Sequence, residues 1–254
     1  MSGGLHRKVA LVTGGSGGIG GAVCRELAAR GAELWVHYHR GEEAARRTAG
    51  SLAGGPHRAV GADLTDPDEV RSAIDRAVRD SGRLDILVNN AGVFERHPPL
   101  AVDYPAWQEH WRRTLGLNLV AAANACWCAA RQMAEAGGGR IINVSSRGAF
   151  RGEPESPAYG ASKAGLNALS QSLAAALAPR GIFVFAVAPG FVETAMARPY
   201  LTSEMGVAIR RQSPLGRVAT AEDVAYWVGC LAEEGASFAT GAIIDVNGAS
   251  YLRT

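Results

Sequence analysis

The sequence predicts a doubly wound α/β fold, with helices on both faces of a seven-stranded parallel sheet. Seven short apolar runs recur along the 254 residues, and their apolar residues are nearly continuous rather than alternating. Such runs are typical of strands that are buried on both faces of a parallel sheet. Helix-like segments lie between them, which is the order of a βαβ protein. With 47% hydrophobic residues the chain can fill one large core, so we expect a single domain over residues 1–254.

The predicted elements follow one another along the whole chain. Strands are expected at 8–13, 33–38, 57–63, 84–91, 139–146, 182–189 and 241–246. The main helices are expected at 19–31, 66–82, 104–135 and 158–177. In the second of these, Asp66 suits the N-cap, Pro67 the first turn and Gly82 the C-terminal stop. Residues 191–220 form the longest stretch without a predicted strand, and they could fold over a site as a lid.

Composition and charge exclude several classes of function. The 26 basic and 24 acidic residues leave a net charge of +2, and no long basic run is present. Nucleic acids and membrane surfaces attract concentrated positive charge, so we expect neither as a partner. The four cysteines form no CxxC pair, which favours buried thiols over disulfides, and we expect no metal site. No apolar stretch suits a signal peptide or a membrane span, so we expect a cytoplasmic protein.

A glycine-rich turn joins the first strand to the first helix. The pattern is Thr13-Gly14-x-x-x-Gly18-x-Gly20. Glycines let a ligand approach the backbone closely, and the amides at a helix N-terminus can hold a pyrophosphate. An ordinary strand-to-helix turn needs only one or two glycines. This pattern alone leaves both interpretations open.

A tyrosine and a lysine lie one turn apart on the last long helix. Tyr159 and Lys163 are four residues apart, so their side chains project from one helix face. An ammonium group near a phenol favours the phenolate and is expected to lower the pKa of the tyrosine. The strand GRIINVSS ends in Ser146, thirteen residues before Tyr159, at the edge where α/β sheets bind ligands. A tyrosine packed on a lysine stem would be the simplest alternative.

Five motifs together resemble the short-chain dehydrogenase/reductase family. They are the glycine turn, NNAG at residues 89–92, Asn118, Ser146 with Tyr159-x-x-x-Lys163, and PGFVET at residues 189–194. They occur in the family's order and at matching distances. The resemblance covers essentially the whole chain and implies a Rossmann-type fold. It also implies a dinucleotide-binding part at about 8–145 and a catalytic and substrate part at about 146–254, with its lid at about 191–220.

The resemblance implies carbonyl–alcohol chemistry with four catalytic residues. Tyr159 would exchange the proton, Lys163 would hold the nicotinamide ribose and lower the pKa of Tyr159, and Ser146 would polarise the carbonyl. Asn118 would hold a water that links Lys163 to solvent. For Asn118 the simplest alternative is a buried amide satisfied by backbone groups. Substrate contacts are expected from Ser146, Phe150 and Tyr159.

The same resemblance implies a nicotinamide dinucleotide cofactor. The residues expected to bind it are Gly14, Ser16, Gly17, Gly18, Ile19, Gly20, Tyr38, His39, Arg40, Asp63, Leu64, Asn90, Ala91, Gly92, Tyr159, Lys163, Pro189, Gly190, Val192 and Thr194. NAD enzymes of this kind usually carry an acidic residue where this chain has Tyr38. The stretch VHYHRG resembles the HYHRS stretch of pteridine reductases, in which the 2′-phosphate of NADPH is bound. Arg40 therefore favours NADPH over NAD, whereas a solvated loop charge is the alternative.

The nearest family pattern is that of 3-oxoacyl carrier-protein reductases and related ketoreductases. We therefore expect an NADPH-dependent ketoreductase that reduces a carbonyl to a secondary alcohol. An NAD-dependent alcohol dehydrogenase is the first alternative, and a non-catalytic dinucleotide-binding sensor or scaffold is the second. Arg180 matches one arginine of the carrier-dependent enzymes, whereas Gly137 occupies the place of the other, so a free small ketone, a polyketide intermediate, a sugar or a steroid stays open as the substrate. By analogy with the family, we expect a homotetramer or a homodimer.

Overall fold

Seven parallel strands form one sheet in the computed structural model, which describes residues 4–253. The strands are β1 (Val9–Val12), β2 (Glu33–Tyr38), β3 (Arg58–Gly61), β4 (Ile86–Asn89), β5 (Gly139–Val144), β6 (Ile182–Pro189) and β7 (Ile243–Val246). Their order is β3-β2-β1-β4-β5-β6-β7. The strand order reverses between β1 and β4, which is where doubly wound sheets open a crevice for a ligand. The predicted fold class and all seven strands are confirmed.

Helices cover both faces of this sheet. They are α1 (Gly18–Ala29), α2 (Glu42–Ser51), α3 (Pro67–Ser81), α4 (Tyr104–Leu115), α5 (Ala121–Glu135), α6 (Gly148–Arg151), α7 (Pro157–Leu177), α8 (Arg198–Leu201), α9 (Gly206–Arg211) and α10 (Ala221–Ala232). The apolar residues of α1, α2 and α10 pack on one face, and those of α3, α5 and α7 pack on the other. Two buried layers thus hold the strands rigid, so that their carboxyl ends form a fixed edge.

The sequence signals at helix ends act as predicted. The Asp66 carboxylate accepts hydrogen bonds from the amides of Asp68 and Glu69, and Gly82 ends α3 with a φ of 78°. A left-handed residue at this place is the usual end of a helix and favours glycine. Within the predicted helix 104–135, a π turn at Gly116–Val120 joins α4 to α5. This turn inserts one residue and holds Asn118.

The predicted lid segment leaves the sheet and returns to the same place. Val192 and Ala219 form a parallel bridge, so the two ends of the segment lie side by side. Between them, α8 and α9 pack on a small apolar cluster of their own that includes Leu201 and Ile209. The segment is therefore a compact excursion above the carboxyl ends of the strands. Within residues 4–253, no helix has the length and apolar character needed to cross a membrane.

Candidate active site

A cavity of about 1490 Å³ opens at the carboxyl ends of the strands. It extends from Arg40 and Asp63 at one end to Tyr159 and Lys163 at the other. Many residues expected from the sequence line it, namely Gly14, Gly17, Gly18, Ile19, His39, Arg40, Asp63, Leu64, Asn90, Ala91, Gly92, Ser146, Tyr159, Lys163, Pro189, Gly190, Val192 and Thr194. Ser16, Gly20, Tyr38, Asn118 and Phe150 do not belong to its walls.

The glycine turn forms a cradle that side chains would fill. Gly14 and Gly18 have φ values of 62° and 54°, in the left-handed region that favours glycine. A Cβ atom on Gly20 would lie 2.2 Å from the carbonyl oxygen of Gly14, so only glycine fits this crossing of backbone. Around Gly17, by contrast, the space is open. The α1 helix begins at Gly18 with no side chain capping its first amides, so the turn fits a dinucleotide pyrophosphate.

Side chains of Thr13, His37 and Asn90 hold this turn in place through hydrogen bonds. The Asn90 side-chain amide donates to the backbone carbonyl oxygens of Thr13, at 2.9 Å, and Gly14, at 3.2 Å. The Thr13 hydroxyl accepts from the amides of Asn90 and Ala91. The His37 Nδ1 atom accepts from the Gly14 amide at 3.1 Å. Sequence reasoning gave His37 no role, although a histidine in the apolar strand ELWVHY was a signal that it could have used.

The end of the cavity at Arg40 and Asp63 carries charged and polar side chains that solvent reaches. His39 Nε2 lies 3.6 Å from a carboxylate oxygen of Asp63, and that carboxylate also accepts from the amide and hydroxyl of Thr65. Hydrogen bonds from Thr65 lower the pKa of Asp63. Arg40 is exposed and, within residues 4–253, forms no ion pair within 4 Å. Tyr38 differs from expectation, because its ring covers Gly61 on β3 instead of lining the cavity.

The catalytic groups expected from the sequence converge at the other end. Lys163 is buried and donates from Nζ to the Val144 carbonyl oxygen at 2.8 Å. Its Nζ atom lies 5.8 Å from the centroid of the Tyr159 ring. The Ser146 hydroxyl accepts from the Gly148 amide at 3.0 Å and lies beside the Tyr159 phenol. Ser145 instead donates to the Lys163 carbonyl oxygen at 3.3 Å, so Ser146 is the hydroxyl beside the phenol.

The pKa of Tyr159 shifts in the direction opposite to the expectation from the sequence. Burial raises it to about 12, the negative charge of Glu153 adds to the rise, and the hydrogen bond with Ser146 opposes it. Burial also lowers the pKa of Lys163 to about 8. The expected ammonium effect is outweighed because the phenol is desolvated and Lys163 directs Nζ to a backbone carbonyl. Tyr159 is therefore a protonated acid at neutral pH.

Asn118 lies beneath the catalytic groups rather than in the cavity wall. Its side-chain oxygen accepts from the Val93 amide at 2.8 Å, and its nitrogen donates to the Val93 carbonyl oxygen and the Ser162 hydroxyl. A Cβ atom on Gly92 would lie 3.0 Å from Asn118 Oδ1 and 3.6 Å from Lys163 Nζ, so the three residues adjoin. The oxygen and the nitrogen of the Asn118 side chain thus both have hydrogen-bond partners, as expected for the alternative of a buried, satisfied amide. The water relay stays a prediction.

The expected substrate side is aromatic, but Phe150 is not part of it. The Phe94 ring meets the Tyr159 ring edge-on at 4.9 Å and the Tyr200 ring at 6.0 Å. Phe150 instead lies under the Arg253 guanidinium, 4.4 Å from its ring centroid, because the C-terminal segment returns over α6. Arg147, buried beside Ser146, donates to Gln212 of the lid segment at 2.6 Å. This arginine thus fastens the lid segment to the loop that carries Ser146.

The chain is similar to known proteins along nearly its whole length. The family model described as enoyl-(acyl carrier protein) reductase matches residues 14–249. A cis-4-hydroxycyclohexanecarboxylate dehydrogenase of Sinomonas cyclohexanicum is 40% identical over 246 residues, which cover 95% of each chain. A 3-oxoacyl-[acyl-carrier-protein] reductase of Escherichia coli is 36% identical over 96% of this chain and 98% of its own.

A solved structure extends the likeness to three dimensions. The dehydrogenase/reductase of Sinorhizobium meliloti superimposes with a TM-score of 0.90 at 34% identity, covering 99% of this chain and 98% of its own. Family model, relatives and structure all span nearly the full length of the chain. The protein therefore belongs to the short-chain dehydrogenase/reductase family and is an oxidoreductase of the kind that acts on alcohol and ketone groups.

Proposed function

We propose that the protein is an NADPH-dependent ketoreductase that converts a ketone to a secondary alcohol. The observation that carries this proposal is the convergence of Tyr159, Ser146 and Lys163 at one end of a cavity whose other end is a glycine cradle. The dinucleotide, when bound, supplies the hydride to the carbonyl carbon. Everything else in the reaction is done by side chains of this chain.

Each catalytic side chain has a separate task in this scheme. Ser146 donates a hydrogen bond to the carbonyl oxygen and so polarises the carbonyl. Tyr159 transfers its proton to that oxygen as negative charge develops there, and burial keeps this proton in place at neutral pH. Lys163 stabilises the resulting phenolate by its charge and holds the nicotinamide ribose. Asn118 supports Lys163 from below as part of the proton path.

The preference for NADPH rests on the exposed end of the cavity. Arg40 lies in the cavity wall, and no acidic residue occupies position 38 at the end of β2. A guanidinium can bind a 2′-phosphate with charge-assisted hydrogen bonds, whereas the ribose of NAD offers it only hydroxyls. The acid at this end is Asp63, which Thr65 and His39 already engage. An NAD-dependent dehydrogenase is the alternative.

Two relatives suggest ketones of different shape as test substrates. One is described as acting on a hydroxycyclohexanecarboxylate and the other on a 3-oxoacyl group on a carrier protein. The edge-on rings of Phe94, Tyr159 and Tyr200 form an apolar wall beside the reacting oxygen. Such a wall favours a compact ring ketone. An enoyl thioester belongs in the same panel, because the matching family model is named for enoyl reduction.

The proposal is tested by titrating the purified protein with NADPH and NADH and then measuring turnover. The panel contains 4-oxocyclohexanecarboxylate, acetoacetyl thioester and crotonyl thioester. We expect tighter binding of NADPH, ketone-dependent oxidation of NADPH and no reduction of the crotonyl double bond. Arg40→Ala is expected to weaken NADPH binding about tenfold and leave NADH binding unchanged, because the contact is charge-assisted yet exposed.

Other outcomes of this experiment have definite meanings. Equal or tighter binding of NADH in the wild-type protein would contradict the role of Arg40 and favour the dehydrogenase. Tight dinucleotide binding without turnover of any carbonyl would support the non-catalytic sensor. Tyr38→Phe serves as the matched control, because the Tyr38 ring packs on Gly61 of β3 and does not line the cavity.

We also propose that the chain forms a homotetramer or homodimer through α5 and its neighbours. Trp127 on α5 is 60% exposed, and Val120 at its start is 51% exposed. Large apolar side chains on one helix are suited to helix packing between copies. Light scattering after size-exclusion chromatography tests this, and Trp127→Glu is expected to lower the measured mass. An unchanged mass in that variant would remove α5 from the interface.

A further inference from the structure

His97 does not line the cavity, yet it contacts the helix that carries Tyr159. The residue is completely buried in the loop that follows the NNAG motif. Its Nε2 atom accepts a hydrogen bond from the Ala158 amide at 3.1 Å, and Ala158 directly precedes Tyr159. Its Nδ1 atom lies 2.8 Å from the Glu95 carbonyl oxygen. Because Nε2 accepts, the ring proton is on Nδ1, and the imidazole is neutral.

This contact caps the first turn of α7, in which the amides of Tyr159 and Gly160 donate to the Ser156 carbonyl oxygen. Ser156 occupies the N-cap position, but its side chain caps no amide, and its buried hydroxyl has no hydrogen-bond partner among residues 4–253. Pro157 has no amide proton, so the first amide of the helix is that of Ala158. His97 satisfies it from outside the helix. The residue thus supplies the N-cap that Ser156 does not.

The same loop is attached to Asn118 at its other end. Val93 exchanges two hydrogen bonds with the Asn118 side chain, and the Phe94 ring packs edge-on against Tyr159. The His97 amide donates to the Glu155 carbonyl oxygen at 2.8 Å, just before α7. Residues 93–97 therefore form a strap between the π turn that holds Asn118 and the start of the helix that holds Tyr159.

The surroundings keep the His97 ring in one orientation. The His110 ring of α4 stacks on it at 5.0 Å with an interplanar angle of 16°, and Trp107 meets it edge-on. The nearby Glu95 carboxylate does not pair with His97, because it pairs with His110 and Arg113 instead. No carboxylate within residues 4–253 is ion-paired with His97. The ring is therefore packed as a fixed backbone acceptor.

We propose that His97 is a positioning residue, which caps α7 through Nε2 and thereby fixes the phenol of Tyr159 relative to Ser146 and Asn118. The effect on turnover rests on the proposed function, whereas the capping does not. Loss of the cap lets the first turn of α7 fray, and Tyr159 lies in that turn. The proton transfer then slows, while the glycine cradle and its dinucleotide are untouched.

Two amide variants separate the two nitrogens of the ring. Gln at position 97 places an amide oxygen near Nε2, so His97→Gln keeps an acceptor for Ala158. Asn places its amide near Nδ1, so His97→Asn keeps the contact with Glu95 and loses the cap. We expect His97→Asn to lower kcat about tenfold and His97→Gln to stay within about threefold of wild type. The NADPH dissociation constant is expected to be unchanged in both.

Hydrogen exchange provides a readout that needs no substrate. Amides 158–160 are expected to exchange faster in His97→Asn than in wild type, and His97→Gln is expected to restore their protection. His57→Gln is the matched control, because His57 bridges the Leu34 amide and the Ala53 carbonyl far from the cavity. This control is expected to leave both kcat and the exchange of α7 unchanged.

The outcomes distinguish this proposal from the proposed function. Equal losses of kcat in the Asn and Gln variants would overturn the positioning role, and so would unchanged exchange at residues 158–160 in His97→Asn. A wild-type protein that reduces no carbonyl, with the expected exchange pattern, would overturn the ketoreductase proposal and support the cap. A kcat loss that His57→Gln reproduces would assign the effect to general destabilisation and overturn the positioning role.

Discussion

The two ends of the cavity are formed by different kinds of groups. The cradle end consists of backbone and glycines, with the exposed side chains of Arg40 and His39 and the half-buried carboxylate of Asp63 beside it. At the catalytic end, buried side chains have shifted pKa values, and their hydrogen bonds come from strands and long helices. Binding at the first end depends on shape and on screened charge. Chemistry at the second depends on desolvated groups held in one geometry.

This difference predicts that the two functions can be damaged separately. Tyr159→Phe removes the phenolic proton and leaves the cradle intact, so kcat should fall by about 10² to 10⁴-fold. The NADPH dissociation constant should stay within about threefold of wild type, because the ring and its contact with Phe94 are retained. Steady-state kinetics and a fluorescence titration measure the two quantities. Substantial residual turnover would refute the assignment of Tyr159 as the acid.

Sequence reasoning was most successful where local patterns decide the structure. Apolar runs gave the strands, and Asp66 and Gly82 gave the ends of α3, because these signals act within a few residues. Ser146 and Lys163 both line the cavity, as their motifs suggested. The end of a strand and the face of a helix on which a residue lies follow from the periodicity of the sequence. These parts of the fold need no long-range information.

Sequence reasoning failed where the outcome depends on contacts between distant segments. Phe150 does not line the cavity because its ring packs against Arg253 of the C-terminal segment. Tyr38 does not line it because its ring packs against Gly61, which has no side chain. The direction of the Tyr159 pKa shift depends on burial, which no spacing reveals. The contact of His97 with Ala158 was not predicted because the two residues are 61 positions apart in the chain.

The catalytic end also predicts a pH-dependent stability. Lys163 has a pKa of about 8 in the folded protein, against about 10.4 when unfolded. Between these values the unfolded chain binds a proton that the folded protein does not, so the free energy of unfolding rises with pH in this window. The rise is about 3 kcal/mol. Below pH 8 both states are protonated, and the cost of burying the ammonium is present in full.

Urea unfolding of wild type and Lys163→Met at pH 7.5 to 10 measures this contribution as the difference between the two pH profiles. The raised pKa of Tyr159 acts in the opposite direction above about pH 10, and the raised pKa values of the buried Cys24 and Cys126 thiols do so above about pH 9, in both proteins alike. Lys8→Met is the control, because Lys8 is the chain's other lysine and its half-buried ammonium is ion-paired with Asp85 and Glu234. The same pH dependence in wild type and Lys163→Met would show that the ammonium is not desolvated in the folded protein.

The cradle end predicts a smaller effect, which depends on steric fit alone. Gly20→Ala places a methyl group 2.2 Å from the Gly14 carbonyl oxygen and 2.6 Å from the Asn90 amide nitrogen. The turn must then move, so we expect a loss of about 1 to 3 kcal/mol in the free energy of unfolding and weaker NADPH binding.

Gly17→Ala is the matched variant, because its Cβ meets open space and its φ of −179° is extended backbone. Its free energy of unfolding should be unchanged or up to about 1 kcal/mol higher. If that open space receives the pyrophosphate, Gly17→Ala should still weaken NADPH binding, so affinity and stability separate in this variant and fall together in Gly20→Ala. Unaltered NADPH affinity in Gly17→Ala would place the pyrophosphate elsewhere along the cavity.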